Sequence, residues 1–206
     1  MITIKEIASI ALAIIILSFS NSFIDTNIFL KSLIYFSIIF IFYVCSKKYL
    51  AYYLESKEET KIWTFQRYGF YKRSHLKYPV PIGIILPFLL SIFSLGYIPW
   101  FAVTESEIKP RETRAARRHD FYSFLEMTEW DMARISSAGI FSMFILAIIS
   151  YILNFPDLAR LSIYFAFFNL LPLGKLDGTK IFFGSKILYS ILGIITAIGL
   201  LYIWFL

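Results

Sequence analysis

The sequence is poor in cysteine, histidine and charge. It has one cysteine, Cys45, and two histidines, His75 and His119, in 206 residues. A single cysteine excludes an intrachain disulfide and a zinc site made of cysteines. Only 17% of the residues are charged, whereas a typical soluble domain carries about a quarter. This composition is untypical of a soluble globular protein.

Long apolar blocks dominate the chain instead. Apolar residues make up 58% of the sequence, and the mean hydropathy is +0.68. Six blocks stand out, at residues 7–24, 27–45, 80–103, 135–155, 158–173 and 181–206. Most reach the roughly 17–25 residues that an α-helix needs to cross a hydrocarbon core of about 30 Å. Because backbone amides in lipid must be hydrogen-bonded within their own segment, we interpret the blocks as membrane helices.

These blocks predict an all-α, polytopic membrane protein with about five to six transmembrane helices, located in the cell membrane. The block at 158–173 is short, so one helix is expected to be short or broken. The net charge of +6 lies at the membrane edges rather than in one basic patch. The lipid bilayer is therefore the expected partner, and a nucleic acid is not. Orientation and oligomeric state stay open.

The polar segment at residues 47–78 predicts a basic, aromatic helix at the membrane interface. Between Lys47 and Lys77 it carries eight Lys or Arg against three Glu, which makes it the better candidate for the cytoplasmic face. No Gly or Pro interrupts it before Gly69. We therefore divide the chain into N-terminal transmembrane helices at 1–46, this interfacial helix at 47–78, and a membrane core at 79–206.

A polar, helix-breaking element interrupts the apolar blocks at residues 169–178. Its sequence is NLLPLGKLDG, with a carboxylate at Asp177 beside a Pro and two Gly. Polar residues within membrane segments are costly, so they mark candidate functional sites. The simpler alternative is an ordinary turn between two helices, because Pro, Gly and Asp-Gly are turn residues.

NLLPLGKLDG resembles the NxxPxxxLDG signature of the site-2 proteases, which are intramembrane zinc metalloproteases. Upstream, residues 138–143 (AGIFSM) are similar to the family's AGPxxN helix start, with its Pro and Asn replaced. The resemblance implies a site-2 protease-like core of the archaeal type. It also implies that Asp177 stands at the third zinc ligand, as a vestigial metal site, and that Asn169 and Pro172 help to bind substrate.

The second zinc motif of the family, HExxH, is absent. In that motif two His at i and i+4 bind the metal and the Glu acts as general base. Alignment on the Tyr-Gly pair at residues 68–69 puts Lys57 and Lys61 at the two histidine positions and Glu58 at the position of the base. The alternative is a solvated juxtamembrane helix, in which Lys and Glu four residues apart stabilise each other.

Lysine is a poor substitute for a zinc-binding imidazole. Its ammonium group has no lone pair, and the pKa of an exposed lysine is about 10. We therefore expect no cofactor, and we expect Lys57 or Lys61 to neutralise Asp177 as an ion pair. A zinc site made from His75, His119 and Asp177 is disfavoured, because both histidines lie in basic segments.

The leading hypothesis is a multi-pass pseudo-protease of the site-2 type. It would be catalytically inactive and would bind transmembrane segments or partner membrane proteins. Two alternatives stay open. The first is an active intramembrane zinc metalloprotease with non-standard ligands, which would need zinc. The second is a small transporter or membrane assembly factor.

Overall fold

The structure is a computed structural model. It describes residues 3–22, 26–67, 75–95, 97, 99–111 and 127–205. Within these residues there are seven helices: α1 (Ile4–Asn21), α2 (Thr26–Tyr53), α3 (Ile82–Phe93), α4 (Glu129–Ile152), α5 (Pro156–Leu170), α6 (Asp177–Gly184) and α7 (Lys186–Phe205). There are also four strands: β1 (Ser56–Ile62), β2 (Phe65–Arg67), β3 (His75–Val80) and β4 (Thr104–Pro110).

Four of the described helices, α1, α2, α4 and α7, are long and apolar enough to cross a membrane. Their most apolar windows have mean hydropathies between 1.6 and 2.2. Helices α3, with 12 residues, and α5, with 15 residues, are shorter. A largely helical fold with membrane-length helices is therefore confirmed, whereas the count of five to six spans stays a prediction.

The segment at 47–78 differs from the single helix that the sequence predicted. Helix α2 continues to Tyr53, and Glu55 then adopts a left-handed φ of 53°, which a continuing helix does not allow. In β1 the side chains of Ser56, Glu58 and Thr60 are buried at every second position. This period of two belongs to a strand. The helical prediction is wrong for residues 56–67 and 75–78, while an interfacial position of the segment stays a prediction.

Two short two-stranded sheets follow α2. Strand β1 pairs with β4, and β2 pairs with β3. The amide of Arg111 donates to the carbonyl of Glu55 at 3.0 Å, and the amide of Trp63 donates to Val103 at 2.9 Å. The first bond joins the start of β1 to the end of β4, and the second joins the end of β1 to the start of β4. The two strands therefore run antiparallel. Strands β2 and β3 are also antiparallel.

The chain divides into two compact units. Unit 1 comprises Met1–Ser37 and Thr60–Glu105, and unit 2 comprises Ile38–Glu59 and Ser106–Leu206. In unit 1, α1 packs on α3. The hydroxyl groups of Ser20 and Ser91 are hydrogen-bonded at 2.8 Å, and the ring of Phe19 stacks on Phe88 with centroids 5.3 Å apart.

Unit 2 is built around α4, which packs against α5 and α6. Thr128 caps the start of α4 by accepting from the amide of Asp131 at 3.2 Å. Gly139 lets α4 approach α2 closely. A Cβ atom at Gly139 would lie 2.7 Å from Cε2 of Tyr43 and 2.8 Å from Cδ of Lys47. The absence of a side chain at this position therefore makes room for two polar side chains of α2.

Candidate functional site

The loop between α5 and α6 delivers a buried carboxylate to the interior of unit 2. Helix α5 ends at Leu170, and α6 begins at Asp177, whose exposed fraction is 1%. Gly174 has a φ of 55°, a left-handed conformation that glycine adopts without steric cost. Gly178 packs directly on the carbonyl of Leu170, where a Cβ atom would overlap the backbone. The helix-breaking residues therefore form a compact turn that folds α6 back onto the end of α5.

Four side chains hold the carboxylate of Asp177. Its Oδ2 atom accepts a hydrogen bond from Lys47 Nζ at 2.5 Å and another from the Tyr43 hydroxyl. Its Oδ1 atom is 3.3 Å from the Ser136 hydroxyl and 3.4 Å from Lys180 Nζ. Both carboxylate oxygens of this buried group therefore have hydrogen-bond donors. Hydrogen bonds to a charged acceptor are stronger than those between neutral groups.

Tyr43 and Lys47 reach the carboxylate from the same face of α2. They are four residues apart, which aligns their side chains on a helix. The ammonium of Lys47 also lies 4.2 Å from the ring centroid of Tyr43. Strand β4 supplies a further contact, because Lys47 donates to the hydroxyl of Ser106 and Lys180 donates to the carbonyl of the same residue. Three elements, α2, β4 and α6, are therefore joined through two lysines.

Positive charge exceeds negative charge around this cluster. Lys47 and Lys180 flank Asp177, and Lys48 lies 3.7 Å from the buried carboxylate of Glu58. Burial by itself raises the pKa of Asp177, but the ammonium groups of Lys47 and Lys180 outweigh it and hold the pKa below its ordinary value. Burial lowers the pKa of Lys180, and Asp177 opposes that shift. Asp177 is therefore held in its ionised form.

The predicted lysine partners of Asp177 are replaced by others. The sequence predicted an ion pair with Lys57 or Lys61, and the structure pairs Asp177 with Lys47 and Lys180 instead. Lys57 and Lys61 lie on β1, not on a helix. Residues four apart on a strand are about 13 Å apart along the chain, so these two lysines do not have the spacing of an HExxH pair. Their assignment to the histidine positions is wrong.

The remaining predicted site residues have separate environments. Glu58 is buried on β1 beside Lys48, so the helical register that assigned it to the general base is wrong too. Asn169 is buried, and its Nδ2 donates to the carbonyl of Phe165 at 2.9 Å. Its Oδ1 accepts no hydrogen bond from any described residue. Pro172 is exposed. A role for Asn169 and Pro172 in binding stays a prediction.

Sequence reasoning missed Tyr43, Lys47 and Lys180, which dominate the cluster. Two signals in the sequence pointed to them. Tyr43 and Lys47 are four residues apart at the end of an apolar block, and Lys180 follows Asp177 by three residues, the spacing of an ion pair on a helix. His75 begins β3, and His119 lies outside the described residues.

A zinc ion does not fit the group around Asp177. A catalytic zinc needs three protein ligands with lone pairs, and Asp177 is contacted by two ammonium groups and two hydroxyl groups. In the described part of the chain, no three His, Cys, Asp or Glu residues are positioned to hold a metal ion. The two lysines would repel a divalent cation, and they already provide the counter-charge.

The cluster also lacks an activated nucleophile. Ser106 and Lys47 are in contact, which is the pairing of a serine–lysine nucleophile. Such a nucleophile needs a neutral amine to take the hydroxyl proton, because an ammonium has no lone pair. Lys47 instead donates to Asp177 as well as to Ser106. The arrangement is that of a closed, charge-paired core.

Comparisons of the chain with protein-family models, with curated proteins and with solved structures found no match. The geometry of the site consists of a carboxylate in the LDG element and two side chains, four residues apart on α2, that donate to it. Ser136, near the start of α4, completes the contact.

Replacing Asp177 by Asn is expected to lower the free energy of unfolding by about 3–5 kcal/mol, because the buried Lys47 and the partly buried Lys180 lose their counter-charge. Denaturant titration of the chain in detergent micelles measures this. Lys109→Gln is the matched control, because it breaks an exposed ion pair with Glu107 of 2.7 Å and should cost less than about 1 kcal/mol. If Asp177→Asn and Lys109→Gln lowered the free energy of unfolding by the same small amount, a buried ion pair at Asp177 would be contradicted.

Proposed function

We propose that the chain is a non-proteolytic membrane protein of the site-2 protease type, in which an internal ion pair stands where the family has its metal. In this proposal it binds transmembrane segments of other proteins without cutting them. The observation that carries the proposal is the meeting of Tyr43 and Lys47, four residues apart on α2, with Asp177 of the LDG element.

The spacing supports a relation to HExxH. In the site-2 proteases the two histidines of that motif lie at i and i+4 on one helix and bind zinc together with the LDG aspartate. Here Tyr43 and Lys47 have the same i, i+4 spacing and contact the same aspartate. Val44 follows Tyr43 and so stands at the position of the glutamate base. Valine cannot accept a proton, so the general base is missing as well as the ligands.

The charge of Lys47 explains how the fold tolerates the loss of a metal. A buried carboxylate without a cation is strongly destabilising. The ammonium of Lys47, 2.5 Å from Asp177 Oδ2, supplies one positive charge inside the protein, and Lys180 supplies another. A chain that had lost its zinc ligands would keep its fold by this substitution, while its ability to activate water would be gone.

A groove between α2 and α4 supports the binding part of the proposal. It has a volume of about 720 Å³ and is lined by the small side chains Cys45, Ser46, Ser137, Ala138 and Ser142, together with larger ones such as Trp130, Arg134 and Phe141. The three serine hydroxyls donate to carbonyls of their own helices. The small side chains therefore form one part of the groove, and the hydroxyl groups there are already hydrogen-bonded. Small residues of this kind let membrane helices approach each other closely, and the aromatic side chains beside them offer apolar contact.

Rebuilding the metal site tests the relation to the site-2 proteases. The test variant combines Tyr43→His, Val44→Glu, Lys47→His and Lys180→Met. We expect this variant to bind about one zinc per chain, because two imidazoles and Asp177 then form a three-ligand site, whereas the wild-type chain should purify with almost none. Metal content after dialysis, measured by mass spectrometry, gives the answer.

The control for that experiment is Lys57→His combined with Lys61→His, which adds the same number of imidazoles on β1. It should bind no zinc at stoichiometric level, and adding Asp177→Asn to the rebuilt variant should abolish its zinc binding. Equal zinc binding by the rebuilt variant and the β1 variant would contradict the proposed register. Stoichiometric zinc in the wild-type chain would favour the active metalloprotease instead.

Site-specific crosslinking tests the binding of transmembrane segments. Cys45 is the single cysteine of the chain and is exposed in the groove, so a benzophenone maleimide attaches there alone. We expect irradiation in native membranes to give adducts with apolar membrane-spanning peptides of other proteins. The control carries Cys45→Ser and Ile34→Cys, which moves the probe to an exposed position on the same helix. If the probes at positions 45 and 34 gave identical adducts, specific binding in the groove would be contradicted.

A further inference from the structure

A second, apolar groove lies between α4, α5 and α7 in unit 2. Its volume is about 350 Å³, and its walls are formed mainly by aliphatic side chains such as Ile148, Ile163 and Ile198. Tyr151 and Tyr202 line it as well, with ring centroids 5.6 Å apart in an edge-to-face arrangement. Both tyrosines lie near the C-terminal ends of their helices, the positions where amphipathic aromatic side chains anchor helices at a membrane surface.

One charged side chain borders this apolar groove. Arg160, in the second turn of α5, lines it and is exposed. No acidic residue in the described part of the chain forms an ion pair with its guanidinium group, and this includes Asp157 one turn earlier. An exposed arginine beside an apolar groove keeps its guanidinium group available to an anion at the membrane surface. The groove therefore combines an apolar wall with an exposed positive charge.

The groove is separate from the Asp177 cluster. Ser136 contacts Asp177 near the start of α4, and Tyr151 lines the groove near the end of the same helix. Fifteen residues of α-helix separate these two positions, which is about 22 Å along the axis. The site at Arg160 therefore lies toward the opposite end of α4 and takes no part in the ion pairs described above.

We propose that this groove binds an anionic phospholipid, with the phosphodiester on Arg160 and an acyl chain along the aliphatic walls. A planar guanidinium matches the geometry of phosphate oxygens and forms two parallel hydrogen bonds with them. The aliphatic walls match an acyl chain and offer nothing to a free inorganic phosphate. Basic positions between membrane helices are known sites of anionic headgroups.

The exposure of α7 supports a lipid rather than a buried protein segment as the occupant. Only 11% of its apolar window is buried, compared with 56% for α4, so most of α7 is open to its surroundings. Gly199 of α7 forms part of the groove, where a Cβ atom would lie 3.2 Å from Cγ2 of Ile163. A leucine at Gly199 would therefore fill the groove while Arg160 stays in place.

Lipid binding to the full chain in neutral detergent micelles tests the proposal. The probes are phosphatidylglycerol and phosphatidylcholine with identical pyrene-labelled acyl chains, and the measured quantity is the ratio of their dissociation constants. We expect the wild-type chain to prefer phosphatidylglycerol by at least about fivefold. Arg160→Gln should bring this ratio close to one, and Gly199→Leu should weaken the binding of both lipids. Lys186→Gln, at an exposed lysine that starts α7 outside the groove, should keep the wild-type ratio.

Three outcomes would overturn the proposal. The first is equal binding of the two lipids by the wild-type chain. The second is a preference that Arg160→Gln leaves unchanged. The third is a wild-type dimer that Gly199→Leu converts to a monomer without a change in lipid binding, because the groove would then be an interface between two copies.

Circular dichroism and size-exclusion chromatography establish that each variant is folded. If excess inorganic phosphate fails to compete with the labelled lipid, a lipid is supported as the source of the phosphate group.

Discussion

The ion pair between Lys47 and Asp177 is the constraint on which the rest of unit 2 depends. Two charges that are about 99% buried cost more to remove from water than they gain unless every hydrogen-bonding position is filled. Tyr43, Ser106, Ser136 and Lys180 fill those positions. The pair therefore requires α2, β4, α4 and α6 to meet at one point, which is a strong condition on the fold.

The close contacts in the neighbourhood follow from this condition. Gly139 has no side chain where the side chains of Tyr43 and Lys47 pass α4, and Gly178 brings the start of α6 onto the end of α5. The same condition decides the chemistry, because a carboxylate already paired with two ammonium groups is not available to a divalent metal. The ion pairs of Asp177 with Lys47 and Lys180 therefore account for the unsuitability of this site for a metal.

The sequence predicted the parts of the molecule that depend on local chemistry. Long apolar runs form helices in lipid whatever their neighbours, and the Pro and Gly residues between α5 and α6 interrupt a helix by their own backbone preferences. The strand β1 was not predictable in this way, because SKEETKI has no strand propensity of note and becomes a strand by pairing with β4. From the sequence, Lys47 cannot be distinguished from a charge at the membrane edge, since its partner Asp177 is 130 residues further along the chain.

The coupling free energy between Lys47 and Asp177 tests this account most directly. It is obtained from the unfolding free energies of Lys47→Met, Asp177→Asn, the double variant and the wild-type chain in one detergent. We expect each single variant to lose much of its unfolding free energy. The loss in the double variant should be smaller than the sum of the two single losses, by a coupling free energy of at least about 1.5 kcal/mol. Single losses that add to within about 0.5 kcal/mol in the double variant would contradict the account, because the two side chains would then not be buried partners.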